Sequence, residues 1–330
     1  MNAHMTDSER EPVVAVIIPC FNEAATIAQV IADFRRELPF ATIHVFDNNS
    51  LDGTAAIARS AGALVSHEYR QGKGNVVKSM FQQVDADIYV LVDGDTTYPA
   101  DKVHDLLRPV LEGKADMVVG SRLLDKSSEI HQMNLFGNRL FLFVVNTVFS
   151  SSLTDILSGY RVMTREFVRT IPVLSPGFQI ETELSIQALH KDMRVCEIPV
   201  KLVDRPPGGE SKIRIVSDGL KILYTIFDLF RTYKPLTVFG LAGIILIVVG
   251  SAIGFSVVVE YFRTGLVPRL PSAILAAGLC LTGLLSISVG LILNTLARNF
   301  KELTCQILNL DRQLRELPID HSFTIRRESR

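Results

Sequence analysis

The sequence predicts an α/β domain built on a mostly parallel sheet with helices on both faces. A two-helix transmembrane hairpin and a cytoplasmic C-terminal helix are predicted to follow it. Three observations lead there. Short apolar strand signals alternate with helical periodicity from residue 13 to 120. Two long stretches, between Lys234 and Glu260 and between Arg269 and Arg298, contain no charged residue. Mean hydropathy is +0.27, and 48% of the 330 residues are hydrophobic, which places part of the chain in lipid or in a very large core.

Taken in order, 1–12 is polar and acidic, lacks the basic start of a secretory signal, and reads as a disordered N-terminus. Residues 13–211 form the α/β domain. Val13–Ile18 is an apolar strand, and Ile27, Val30, Ile31, Phe34 and Leu38 mark one helix face. Strands follow at Thr42–Phe46, Leu64–Ser66, Ile88–Val92 and Met117–Val119, with helices at Thr54–Ala61, Asn75–Val84 and Val103–Leu111 between them. In such sheets ligands bind beyond the carboxyl ends of the strands. The polar clusters lie there: Asn22-Glu23, Asp47 to Asp52, and Asp93-Gly94-Asp95.

Residues 212–234 read as juxtamembrane amphipathic helices, and about 235–260 and 270–297 as the spans, each longer than the roughly 20 residues a bilayer needs. Basic residues before the first span and after the second place both termini in the cytoplasm. Within 298–330, Leu303, Ile307, Leu310, Leu314 and Leu317 follow heptad spacing, a seam for a partner copy or for the chain's own domain. The expected state is a homo-oligomer. Lysine plus arginine is 34 against 35 acidic residues, so no nucleic-acid footprint exists. Cys20, Cys196, Cys280 and Cys305 form no C-x-x-C pair, which argues against a disulfide framework or zinc site. A dinucleotide-binding glycine fingerprint is also missing after any strand, against a dehydrogenase.

Two carboxylates two residues apart at a strand end, Asp93 and Asp95, suit Mg²⁺ or Mn²⁺ shared with phosphate oxygens. Asp47 ends a strand and can accept a bond from a base or ribose, while Asp52 or Thr54 can cap the next helix. Gly72-Lys73-Gly74-Asn75 opens a helix, where Lys73 can approach a nucleotide or the glycines can simply turn the chain.

Pro19-Cys20-Phe21-Asn22-Glu23, Asp47 to Thr54, Asp93-Gly94-Asp95, Gly120-Ser121-Arg122 and Asp155-Ile156-Leu157-Ser158-Gly159-Tyr160-Arg161 occur in this order, followed by Arg205 and Ser211-Lys212. The set resembles the family 2 glycosyltransferases, in the branch of dolichyl-phosphate mannose synthases and polyprenyl-phosphate glucosyltransferases. The resemblance covers roughly 13–235. It implies a GT-A fold, with a Rossmann-like sheet, and inverting transfer from a nucleotide-sugar to a lipid phosphate at the cytoplasmic face of a membrane, a bacterial inner membrane being expected. It implies that Pro19, Asn22, Glu23, Asp47 and Asp52 hold the nucleotide, and that Asp93 and Asp95 hold the metal and diphosphate. Arg122, Arg139, Arg205, Ser211 and Lys212 would hold the acceptor phosphate. Asp155 is the candidate base or orienting carboxylate, with pairing to Arg161 as the structural alternative and Glu181 and Glu183 as secondary candidates.

Two positions depart from the family pattern. Asn48 stands where a second aspartate is common, and Thr97 where mannose synthases often carry glutamine. The nucleotide and sugar are therefore open; a UDP-sugar is expected, with GDP-mannose as the alternative. Two other readings compete. A processive polysaccharide synthase would use a tryptophan-containing acceptor motif and more spans, and this chain has no tryptophan. An inactive membrane scaffold would not need Asp93, Asp95 and the basic set.

Overall fold

The computed structural model describes residues 11–122, 142–143, 145–149, 151–203 and 215–316. Arg139, Arg205, Ser211 and Lys212 lie outside the described residues, as do 1–10 and 317–330. The chain divides into two units, 1–229 and 230–330.

In the first unit, seven strands form one sheet: β1 (Val14–Cys20), β2 (Thr42–Asp47), β3 (Leu64–His67), β4 (Ile88–Leu91), β5 (Met117–Ser121), β6 (Arg161–Thr164) and β7 (Val195–Pro199). Their order is β3-β2-β1-β4-β6-β5-β7, and every pairing is parallel except those of β6, which runs antiparallel between β4 and β5. The central strands are continuous apolar runs because both faces are covered. Along β1, Val16, Ile18 and Cys20 enter one core with Ile31, Ala58 and Leu106, while Ala15 and Ile17 enter the other with Val76, Met80, Phe167 and Leu184. The first core is built from α1 (Ile27–Glu37), α2 (Thr54–Ser60) and α4 (Val103–Leu111), the second from α3 (Lys73–Gln83), α5 (Arg165–Thr170) and α6 (Ile180–His190). The strand–helix alternation expected up to residue 120 is present, with most boundaries moved by one or two residues and the helix expected at Asn75 opening at Lys73.

Helix α7 (Ile215–Tyr233) ends at Lys234, and Pro235 opens the next helix, at a position where a missing N–H costs nothing. The second unit holds α8 (Pro235–Thr264) and α9 (Leu270–Glu316). Pro235–Thr264 and Leu270–Phe300 are long and apolar enough to cross a membrane, and only 17% of each apolar window is buried in protein. Helices apolar all round, yet packed along one seam, have the pattern of membrane-associated helices. On the seam the backbones meet at Gly243 and Gly283: a Cβ at Gly243 would lie 2.6 Å from the Gly283 carbonyl oxygen. Ser286 Oγ donates to Phe239 O at 2.8 Å across the same seam. The helix expected after the second span is not separate from it. From Arg298 to Glu316 no glycine or proline interrupts the pattern, and α9 runs through without a break.

Candidate active site

Register brings the polar clusters together. Cys20 pairs with Asp47 across β1 and β2, so the loops after these strands leave side by side. They are stitched by reciprocal bonds. Asn22 N donates to Ser50 Oγ (2.9 Å), and Leu51 N returns a bond to Asn22 Oδ1 (2.9 Å). Glu23 N donates to Thr54 Oγ1 (2.8 Å), and Ala24 N to Asp52 Oδ2 (2.9 Å). Asp52 also accepts from Thr54 N and Oγ1, so it braces the two loops, while Gly53 takes the N-cap position of α2. Pro19 lies on β1 just before this junction. Asn22 and Asn49 adopt left-handed backbone conformations (φ 52° and 65°), tolerated best by asparagine among non-glycine residues.

Asp47 is 2% exposed. Its Oδ2 meets His67 Nδ1 at 3.2 Å and Ser50 N at 3.3 Å, whereas Oδ1 is buried and, among the described residues, has no hydrogen-bond partner. An orphaned buried acceptor is costly unless a ligand donor fills it. Asn48 is consumed by structure: its amide donates to Glu68 O (2.8 Å) and Arg70 O (2.9 Å) and accepts from Gly72 N (2.7 Å). An aspartate could not make the two donations, which explains this departure from the family pattern.

Asp93 and Asp95 follow β4. Asp93 Oδ1 binds Lys73 Nζ at 2.5 Å, and the same ammonium binds Glu181 Oε1 at 2.6 Å. Burial opposes the lysine's charge, but the two carboxylates outweigh it and raise its pKa above the usual lysine value. Asp95 Oδ1 accepts from Thr97 N (3.2 Å) and Oγ1 (2.5 Å). Between them Thr96, a β-branched residue, sits at φ 62°, a strained turn of the kind found at functional sites. A Cβ on Gly159 would lie 2.5 Å from Asp93 Oδ2, so only glycine lets the turn approach this carboxylate so closely. Among the described residues no three His, Cys, Asp or Glu side chains gather to hold a metal alone. Two hard carboxylate donors fit a cation of the magnesium type, which completes its shell with phosphate oxygens and water.

Across the Asp155–Gly159 turn stands a second pair. Arg122 Nε and Nη2 donate to Asp155 Oδ2 (2.7 Å) and Oδ1 (2.8 Å), and Arg122 N adds a third bond at 3.1 Å. Burial disfavours the Asp155 carboxylate, but the Arg122 guanidinium more than offsets it and holds the pKa below the usual value. Among the described residues, Nη1 of Arg122 makes no hydrogen bond, which leaves one guanidinium edge for a ligand. Asp155 is therefore the partner of Arg122. Arg161, fully buried, instead donates to the carbonyls of Ser158, Ile156 and Glu181 and to Ser185 Oγ. Glu197 on β7 holds the turn from beneath, accepting from Thr154 N, Thr154 Oγ1 and Asp155 N. The Tyr98 hydroxyl accepts from Gly159 N at 2.9 Å. Burial raises its pKa, so it stays protonated.

The structure thus gathers Asn22, Glu23, Asp47, Asp52, Lys73, Asp93, Asp95, Arg122 and Asp155 around the carboxyl ends of β1, β2, β4 and β5. Glu181 joins them through Lys73. Glu183 instead holds the preceding loop by accepting from Leu174 N (2.9 Å) and Ser175 N (2.7 Å). Glu197 carried no signal in the sequence; it is one acid in a short strand.

Residues 15–171 match the family model described as Glycosyl transferase family 2. Glycosyltransferase AglJ of Haloferax volcanii is 32% identical over 268 residues, covering 81% of this chain and 88% of that one. The undecaprenyl-phosphate mannosyltransferase of Micrococcus luteus is 25% identical over 217 residues, covering 61% and 87%. Among solved structures, glucosyl-3-phosphoglycerate synthase from Mycobacterium tuberculosis, in complex with Mn²⁺ and UDP-glucose, matches with TM-score 0.56 at 20% identity over 66% of this chain and 79% of that one. With this sheet, these strand-end carboxylates and a 32%-identical relative covered almost end to end, the chain belongs to glycosyltransferase family 2 and is a glycosyltransferase.

Proposed function

We propose that the protein moves a hexose from a nucleotide-sugar, a UDP-sugar in preference to GDP-mannose, to a polyprenyl phosphate, with inversion at the anomeric carbon. The observation that carries this is the Asp155–Gly159 turn. One end bears Asp155 bonded to Arg122; the other lies against Asp93. This arrangement supports the reading of a second phosphate bound beside a diphosphate. The lipid phosphate named for the Micrococcus relative supports the acceptor class, and the UDP-glucose and Mn²⁺ of the mycobacterial complex support the donor class.

In the reaction an acceptor phosphate oxygen bonds to the anomeric carbon as the bond from that carbon to the nucleotide's β-phosphate oxygen breaks. The products are the polyprenyl-phosphate sugar and a nucleoside diphosphate. A phosphate monoester has a second pKa of about 6 and is largely dianionic at neutral pH, so no proton need be removed. Asp155, ion-paired on both oxygens, orients Arg122, and the free edge of Arg122 grips the acceptor together with Arg139, Arg205, Ser211 and Lys212. Asp93 and Asp95 would hold Mg²⁺ or Mn²⁺, which supplies charge neutralisation at the departing diphosphate. Asn22, Glu23, Asp52 and Pro19 form the nucleotide's floor, and the buried Oδ1 of Asp47 takes an N–H from the base edge.

The catalytic domain and both termini face the cytoplasm, at a bacterial inner membrane, and the heptad positions of α9 join copies of the chain. Replacing Leu310 and Leu314 with glutamate should lower the native mass in detergent; an unchanged mass would contradict the oligomer. Nucleotide choice is tested by thermal shift with Mn²⁺. UDP should raise the melting midpoint more than GDP or ADP, and Asp47→Ala should remove most of that rise. Equal shifts by all three nucleotides, or an Asp47→Ala variant stabilised like the wild type, would contradict the base site.

A further inference from the structure

The ammonium of Lys73 lies 2.5 Å from Asp93 Oδ1 and 2.6 Å from Glu181 Oε1, with the lysine side chain 9% exposed and that of Glu181 6%. We propose that Lys73 is an internal counter-cation that guards Asp93 against a bare divalent ion, so that metal enters only together with a diphosphate, with Glu181 as the second carboxylate of the lysine's ion pair. This rests on the reading that Asp93 and Asp95 receive a metal–diphosphate.

The backbone of Lys73 is held from two sides. Asn48 Oδ1 takes Gly72 N at 2.7 Å, and Pro176 O takes Gly74 N at 3.0 Å. The Ser175–Pro176 carbonyls press so closely on Gly74 that any side chain there would collide with Ser175 O. Glu183 in turn fixes this loop through Ser175 N. Lys73 therefore adjusts only through its own side chain. Asp93, the open member of the three at 28% side-chain exposure, is the carboxylate a ligand can reach.

Charge decides the order of binding. A bare divalent cation must share Asp93 with an ammonium already in contact, and two cations on one carboxylate repel strongly where water is excluded. A diphosphate brings negative charge that relaxes this repulsion and offers the ammonium a further acceptor. Glu181 meanwhile gives the ammonium a second carboxylate partner. Metal and nucleotide are then positively coupled, each strengthening the other by the same factor.

The test is Mn²⁺ binding by the full chain in detergent, read by electron paramagnetic resonance without nucleotide and again with UDP. Lys73→Gln should tighten nucleotide-free Mn²⁺ affinity by about fivefold or more and shrink the gain that UDP gives. The double variant Lys73→Gln/Glu181→Gln, which leaves no unpaired buried carboxylate, should tighten it equally. Glu181→Gln alone, which leaves Lys73 on Asp93, should not. A smaller tightening in both Lys73 variants, or equal tightening in Glu181→Gln, overturns the proposal. If wild-type protein with UDP binds no Mn²⁺, or binds it regardless of Asp95→Ala, the metal reading itself falls and this inference with it. Asp95-dependent binding with no response to Lys73 defeats the inference alone.

Discussion

Asp95→Ala should cut transfer by on the order of a thousandfold while the melting midpoint stays that of the wild type. The carboxylate sits in the turn after β4 and accepts from Thr97 N and Oγ1, two residues on, within the same turn. Its removal subtracts one of two hard oxygen donors from the place where the diphosphate must be neutralised as it leaves. The loss should appear in kcat, because the charge it compensates develops in the transition state. Initial rates with saturating Mn²⁺ and circular dichroism melting check both halves. Turnover near the wild-type rate would remove Asp95 from the site.

The second large effect concerns Arg122 and Asp155. The Asp155 side chain is wholly buried and that of Arg122 is 23% exposed. Arg122→Ala strands a buried carboxylate and should cost on the order of 3 kcal/mol of stability as well as transfer. Replacing both partners, Arg122→Met with Asp155→Leu, should recover much of that stability, since no uncompensated charge remains. It should not recover transfer, because the edge that grips the acceptor phosphate is gone. Chemical denaturation and the transfer assay on the two single variants and the double measure this directly. A double variant that regained activity along with stability would show the pair to be scaffolding only.

Much of this was legible in the sequence. Strands β1 and β4 are continuous apolar runs and β2 closes on the apolar pair Val45-Phe46; a strand ends where a polar residue follows, so pattern alone puts Asp47 and Asp93 at strand ends. The region 161–199 was not legible as structure. Strand β6 is four residues long and opens on a buried arginine, and α6 buries nearly every residue, including Glu181, Glu183 and Gln187, so it shows no amphipathic stripe. The Lys73–Glu181 pair joins residues more than a hundred positions apart, beyond any spacing rule. Asp155 was visible as a motif member, but its partner was not. Both Arg122 and Arg161 follow from the motifs, and only the antiparallel course of β6, which turns Arg161 inward toward α6, leaves Arg122 to the carboxylate.

The central claim is that the sugar goes to a lipid phosphate. Purified protein, a UDP-sugar and Mn²⁺ are incubated with and without polyprenyl phosphate in neutral detergent, and nucleotide release is followed. Release should require the lipid phosphate, match it in amount, and yield a lipid-linked sugar of inverted anomeric configuration. Release at the same rate without the lipid, or sugar added to anything other than the phosphate, would contradict the account.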